Sequence, residues 1–164
     1  MAIDFPNSPT LNQTYAYEGR TWKWNGTGWQ ISTTSPSPEV GVQTASVTVS
    51  ANPYATVTSN VTLNPMVMIT KVTSSVSAWT RMYHSAAAAT ADASRTVTTD
   101  PLSSAGVVFE VLTSTANESV TLNPIASAIN QESPRTSVFP LRVTNNDASA
   151  TSVALTFEYV FLEI

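Results

Sequence analysis

Few residues in this chain could do chemistry. There is no cysteine and a single histidine, His84. This excludes thiolate catalysis, disulfides and Cys-type zinc sites, and one chain cannot assemble a His-rich metal site. His84 precedes Ser85, with Asp92 or Asp100 downstream. Those are the residue types of a Ser–His–Asp relay. No Gly-x-Ser-x-Gly elbow accompanies them, and serine is abundant throughout, so His84 reads as a loop residue at a strand end. A glycosidase pair would have to draw on Glu110, Glu118, Glu132 or Glu158, which are scattered as solvated surface charges usually are. Asn145-Asn146-Asp147 offers oxygens to a calcium ion, but the acidic spacing of a calcium loop is missing and a β-turn accounts for the run. The expectation is a non-enzyme with no catalytic residue, no cofactor and no metal.

The remaining chemistry is aromatic and cationic. Tyr15, Tyr17, Trp22, Trp24 and Trp29 crowd the first 31 residues and form the candidate attachment interface. Sugars stack on exposed Trp rings, which is one reading. The other, favoured here, is that the rings supply the only core a module this small can have. Arg81 and Arg95 are buried or interfacial partners of Asp92 or Asp100, or else exposed solubilising charges. The sequence leaves both open.

The elements that position these residues are strands. Thr14–Tyr17, Arg20–Trp24 and Gly28–Ile31 read as a three-stranded meander. Gly19-Arg20 marks one turn, and Asn25-Gly26 the other because both residues tolerate positive φ. Trp22 and Trp24, two apart, share a face. Such a meander is marginal alone and needs something to dock on. Residues 32–44, opening Ser-Thr-Thr-Ser-Pro-Ser-Pro, read as a proline-stiffened linker. From 45 to 164 the pattern has period two. Met66–Val72 is almost continuously apolar, as in a strand buried on both faces. Trp79, Arg81 and Tyr83 share one strand face, and Val107, Phe109 and Val111 another. Pro140 suggests an edge strand or a bulge. Ser85–Ser94 reads as a loop with one or two helical turns. Val61–Pro65 recurs as Val120–Pro124 and could mark two equivalent strand-to-turn corners.

The last strand points Val153, Leu155, Phe157, Tyr159 and Phe161 one way. Its other face ends in Val160, Leu162 and Ile164, the candidate oligomer interface. Either another layer covers this end, or the strand runs into the middle of its own domain. With turn signals between many short strands, the fold class is all-β: a small N-terminal aromatic meander (1–31), a linker (32–44) and an antiparallel, jelly-roll-like β-sandwich (45–164).

Composition narrows the function classes. Charged residues make up 11% of the 164, against roughly 25% in an average domain, and more than a quarter are Ser or Thr. A net charge of −4 argues against nucleic acid as partner, because that interface needs clustered cations. No apolar run is long enough for membrane insertion, and no secretory signal is visible. The sequons at Asn12, Asn25, Asn60 and Asn117 follow from Ser/Thr abundance, and no glycans are expected.

Phe5-Pro6-Asn7-Ser8-Pro9-Thr10, Gln13-Thr14-Tyr15 and Gly19-Arg20-Thr21-Trp22-Lys23-Trp24-Asn25-Gly26-Thr27-Gly28-Trp29 together resemble a module of tailed-bacteriophage virion proteins. The module is familiar in tail fibres and appendages of phages of cyanobacteria and marine bacteria, and usually has Gly where Asn12 stands. Ala78–Tyr83, Ser85–Ala88, Ala91–Arg95 and Thr98–Pro101 resemble a phage structural family. The resemblance implies a structural component located in the virion and assembled in the host cytoplasm. It implies other virion proteins as partners and a homo-oligomer, most often a trimer. The expected position is a tail fibre or baseplate component docked through residues 1–31. The alternatives are a capsid decoration protein and a receptor module that binds a host-surface glycan.

Overall fold

The computed structural model describes residues 4–17, 20–32 and 41–162. The chain forms two compact units, divided between Glu39 and Val40. Among the described residues its regular structure is almost all strand, in three antiparallel sheets, with one short helix.

The first unit is the meander, with β1 (Thr14–Tyr17), β2 (Arg20–Trp24) and β3 (Trp29–Ile31) in the order β1-β2-β3. The β2–β3 connection differs from a two-residue hairpin turn. Trp24 pairs with Trp29, leaving the four-residue loop Asn25–Gly28. Only Gly26 takes positive φ, at 99°. Asn25 acts through its side chain instead: its Oδ1 accepts from the Thr27 and Gly28 amides at 2.9 and 2.8 Å. Asn12 sits at φ 68°, a left-handed position that glycine fits best and that asparagine bears more cheaply than most residues. Gly19 lies outside the described residues.

The second unit contains β4 (Gln43–Ser50), β5 (Thr56–Thr62), β6 (Met66–Ser74), β7 (Ala78–Tyr83), α1 (Ala86–Ala91), β8 (Val107–Leu112), β9 (Glu118–Ile129), β10 (Val138–Asn145) and β11 (Ser152–Phe161). One sheet runs β4-β11-β6-β9 and the other β5-β10-β7-β8. The pairing is nested: β4 lies beside β11, β5 beside β10, β6 beside β9 and β7 beside β8. The unit is thus one long hairpin, bent between β7 and β8 and rolled into two sheets, which is a jelly roll. Its core comes from alternate residues of both sheets, including Val67, Ile69, Phe139, Leu141, Leu155 and Phe157.

Several local expectations are corrected. Gln43 and Thr44, placed in the linker, belong to β4. Residues 33–40 of that linker lie outside the described residues. β6 is buried on one face only: Val67, Ile69 and Val72 enter the core, while Met66 and Met68 are half-buried on the other side. Pro140 is on neither an edge nor a bulge. It lies in central strand β10, where pairing with β5 continues but the ladder to β7 extends only from Leu141 to Asn145. The missing N–H falls where that ladder stops. The echo is not two equivalent corners. Asn64-Pro65 turns between β5 and β6, whereas Val120–Pro124 lies inside β9, where the register with β6 shifts.

Candidate functional site

The aromatic residues of the meander share one face because of register. Tyr15 pairs with Trp22, and Trp24 with Trp29. Tyr17 is on the same face of β1, two residues beyond Tyr15, and is half-buried. Phe5 completes the cluster. Its ring stacks on Trp29 at 5.2 Å and 9°, and meets Tyr15 and Trp22 edge-on at 5.6 and 5.2 Å. Trp24 packs on Trp29 at 5.7 Å. The tryptophans therefore spend their faces on one another and on Phe5, as expected of rings that form the module's own core. The opposite face, with Thr14, Ala16, Thr21, Lys23 and Gln30, is exposed. Phe5 was not among the interface candidates. Its only sequence signal is that it is an aromatic in a Pro-rich lead-in.

The proposed oligomer residues lie at one end of the β4-β11-β6-β9 sheet, on the face away from the core. This face is banded. Ser46, Thr156, Thr73 and Ser119 lie side by side across all four strands. Their hydroxyls bond between Ser46 and Thr156 (3.0 Å) and between Thr73 and Ser119 (2.7 Å). Next comes the Lys71–Glu158 ion pair. Beyond it the face turns apolar. Val160 pairs with Met68, Met66 with Ile129, and the Leu162 amide bonds Met66 O at 3.1 Å. Val160 is half-buried, while Leu162 is 40% and Ile129 43% exposed. β11 is thus a central strand of its sheet, and what stays partly exposed is the outer face of its last residues. Among the described residues of the sandwich unit, nothing covers this end of the face. Ile164 lies outside the described residues.

The most chemically dense site is on the other sheet. Trp79, Arg81 and Tyr83 share the face of β7 turned away from the core, and α1 with its flanking loop covers them. Ser85 caps α1, accepting from the Ala88 amide at 3.2 Å. Asp92 follows the helix and gathers the cluster. Its Oδ2 accepts from the Tyr83 hydroxyl at 2.6 Å and from Arg81 Nη1 at 3.3 Å, and its Oδ1 accepts from Arg95 Nε at 2.8 Å. Arg95 also bonds Glu110, which stands opposite Arg81 on β8, at 2.7 Å. The Arg81 guanidinium carbon lies 3.6 Å from the Trp79 ring centroid. Arg81 is 1% exposed and Asp92 7%. Of the alternatives the sequence left open, burial against Asp92 is the one the structure shows. Tyr83 was expected on Arg81's face but not as a partner of Asp92, and Glu110 was not foreseen because only the register of β8 brings it opposite Arg81.

The electrostatics follow from burial and pairing. Burial pushes the Asp92 carboxyl up, but hydrogen bonds from Arg95 and Tyr83 and the two nearby guanidiniums outweigh it, so it falls below the ordinary value. Burial, then the bond to Asp92, pushes the Tyr83 phenol well above its ordinary value. Burial lowers Arg81, yet arginine's intrinsic basicity keeps it a cation.

The other sequence candidates are engaged elsewhere. Ser85 Oγ serves the helix cap, and Asp92 serves the arginines and Tyr83. They do not form a relay with His84, whose Nδ1 is buried with no partner among the described residues. Asp100 is exposed. Glu118 bonds the Ser114 and Thr115 amides at 2.6 and 3.1 Å, and Glu132 the Ala86 amide at 2.6 Å. In Asn145-Asn146-Asp147, Asn145 Nδ2 donates to Ala51 O and Ala150 O at 2.9 and 2.7 Å, and Asp147 Oδ1 accepts from the Ser149 and Ala150 amides. No group of three or more potential metal-binding side chains occurs among the described residues. Comparison with protein-family models, curated proteins and solved structures finds no match.

Proposed function

We propose that this chain is a non-enzymatic structural protein of a tailed-phage virion, docked on the particle through its N-terminal meander and presenting the jelly roll. One observation carries the reading. The residues that resemble the phage module, Phe5 to Trp29, fall within a compact unit distinct from that of the jelly roll. A self-contained aromatic meander of three short strands is the kind of element that gains stability by docking on a larger body. Because its rings face one another, docking uses the meander as a folded object, through its strand edges and exposed polar face.

The favoured position is a tail fibre or baseplate component. The open apolar end of the β4-β11-β6-β9 sheet supports a second reading, a trimeric capsid decoration protein. There Val160, Leu162, Met66 and Ile129 would meet other copies. Glycan binding at the host surface, through the Trp cluster or the sandwich loops, is less favoured because the Trp rings pack on one another and on Phe5.

The test is particle incorporation. The full chain and a variant lacking residues 1–31 are supplied during phage assembly, and purified particles are stained with gold-labelled antibody. Label at the tail with the full chain and none with the truncation supports docking through the meander. Label over the head moves the assignment to decoration. Equal incorporation of the truncation overturns the docking role, and absence of both from particles overturns the virion assignment.

A further inference from the structure

We propose that the covered cluster on β7 is a binding site for one small monovalent anion of chloride size. Three guanidinium groups reach the same two residues of the loop after α1. Arg81 Nη1 bonds Asp92 O and Oδ2 at 3.4 and 3.3 Å, Arg95 Nε bonds Asp92 Oδ1 at 2.8 Å, and Arg142 Nη2 bonds Ala93 O at 3.2 Å. Arg142 also stands opposite Arg81 on the adjacent strand. Each of the three retains a buried N–H with no partner among the described residues: Arg81 Nε, Arg95 Nη2 and Arg142 Nε. The side chains of Arg81 and Arg95 are 1% and 7% exposed.

Buried donors of this kind call for an acceptor. The Trp79 ring does not supply one, because a guanidinium lying over a ring uses its face and leaves its edge N–H groups unspent. Charge and hydrogen-bond polarity choose between water and an anion. Arg81 and Arg95 pair with two carboxylates, Asp92 and Glu110, and Arg142, which bonds only the Ala93 carbonyl, adds a third positive charge with no carboxylate partner among the described residues. The unfilled groups are all donors. A water would bring two O–H donors of its own into a place already rich in them, whereas a halide accepts several N–H groups and donates none. With Arg81 on β7 1% exposed and Arg95 in the covering loop 7% exposed, only a small ion is compatible with the site. Bound there, it would tie β7, β10 and the loop after α1 together.

Crystals of the full chain grown in sodium bromide, with anomalous diffraction at the bromine edge, locate the ion directly. The expected result is a peak within hydrogen-bonding distance of at least two of the three nitrogens. In solution, chloride should raise the melting temperature saturably, by about 2–4 °C several-fold above its Kd. Fluoride at equal ionic strength should not. Arg142→Gln, which keeps a polar half-buried side chain, should lose the chloride response whatever its own starting stability. A lone water at the site, a bromide peak only elsewhere, or equal responses to chloride and fluoride overturns the proposal.

Discussion

Asp92 is the residue on which the second, polar core turns. Its carboxylate is the common acceptor for Tyr83, Arg81 and Arg95. Without it a guanidinium that is 1% exposed loses its counter-charge. Removing one partner of a buried pair costs about 3–5 kcal/mol, so Asp92→Ala should lose that much in urea unfolding. Tyr83→Phe, which deletes one hydrogen bond to a charged acceptor, should lose about 1.5–3 kcal/mol. The pH dependence has a definite sign. The Asp92 carboxyl lies below its ordinary value in the folded state, so the unfolded chain takes up this proton first as pH falls. The stabilisation is complete above the ordinary aspartate range and is lost below about pH 4 as the folded value is approached. Glu118 and Asp147 are lowered too, by bonds from backbone amides, and share this direction. The informative measurement is therefore the difference: unfolding of Asp92→Asn should depend less steeply on pH below 4 than that of the parent. Equal slopes would remove Asp92 from the account.

The α1 segment is the element that makes this polar core possible. A six-residue helix is too short to hold by propensity, and it persists through its ends. Ser85 caps the start, and the Asp92 amide bonds Ala88 O at 3.1 Å at the finish. Gly106 closes the loop behind it at φ 67°, where an added Cβ would lie 2.8 Å from Ala88 Cβ and closer still to His84 Nε2. Gly106→Ala therefore combines a left-handed backbone with a collision against the helix and should cost about 2–4 kcal/mol. Ser85→Ala removes only the cap, about 0.5–2 kcal/mol. Thermal unfolding of the two variants should preserve that order. The same segment shows what the sequence could convey. The alanine run announced a short helix because propensity is local, and β11 was plain from its strict alternation. Arg81 on the covered face of β7 was visible as a shared face with Trp79 and Tyr83. What covers it depends on a helix with no large apolar residue to betray its packing. Glu110 joins only because β8 returns in register opposite Arg81. β6 misled for a related reason: Met66 and Met68 extend an apolar run onto a face that the core does not use.

At the scale of the molecule, the jelly roll leaves one imbalance. A sheet face that carries a hydroxyl row and an ion pair over its middle ends in Met66, Met68, Val160, Leu162 and Ile129. Isolated apolar side chains on a surface need no explanation, whereas an apolar group clustered beside a polar band is a candidate contact surface. Burying an aliphatic side chain of this kind contributes about 1.5–3 kcal/mol. Symmetric self-association is a common way to cover such a group. Placing a carboxylate there is tolerated by the open monomer and not by a closed interface. Leu162→Asp, at a position 40% exposed, should leave the melting temperature of the monomeric domain within about 2 °C of the parent. It should also weaken self-association by two orders of magnitude or more, about 3 kcal/mol. Sedimentation equilibrium on the full chain reads both mass and affinity. A parent that is trimeric and a variant that is monomeric would place the interface at this sheet end. A parent that is monomeric at every concentration, or a variant that associates as tightly as the parent, would show that the apolar end serves a different contact.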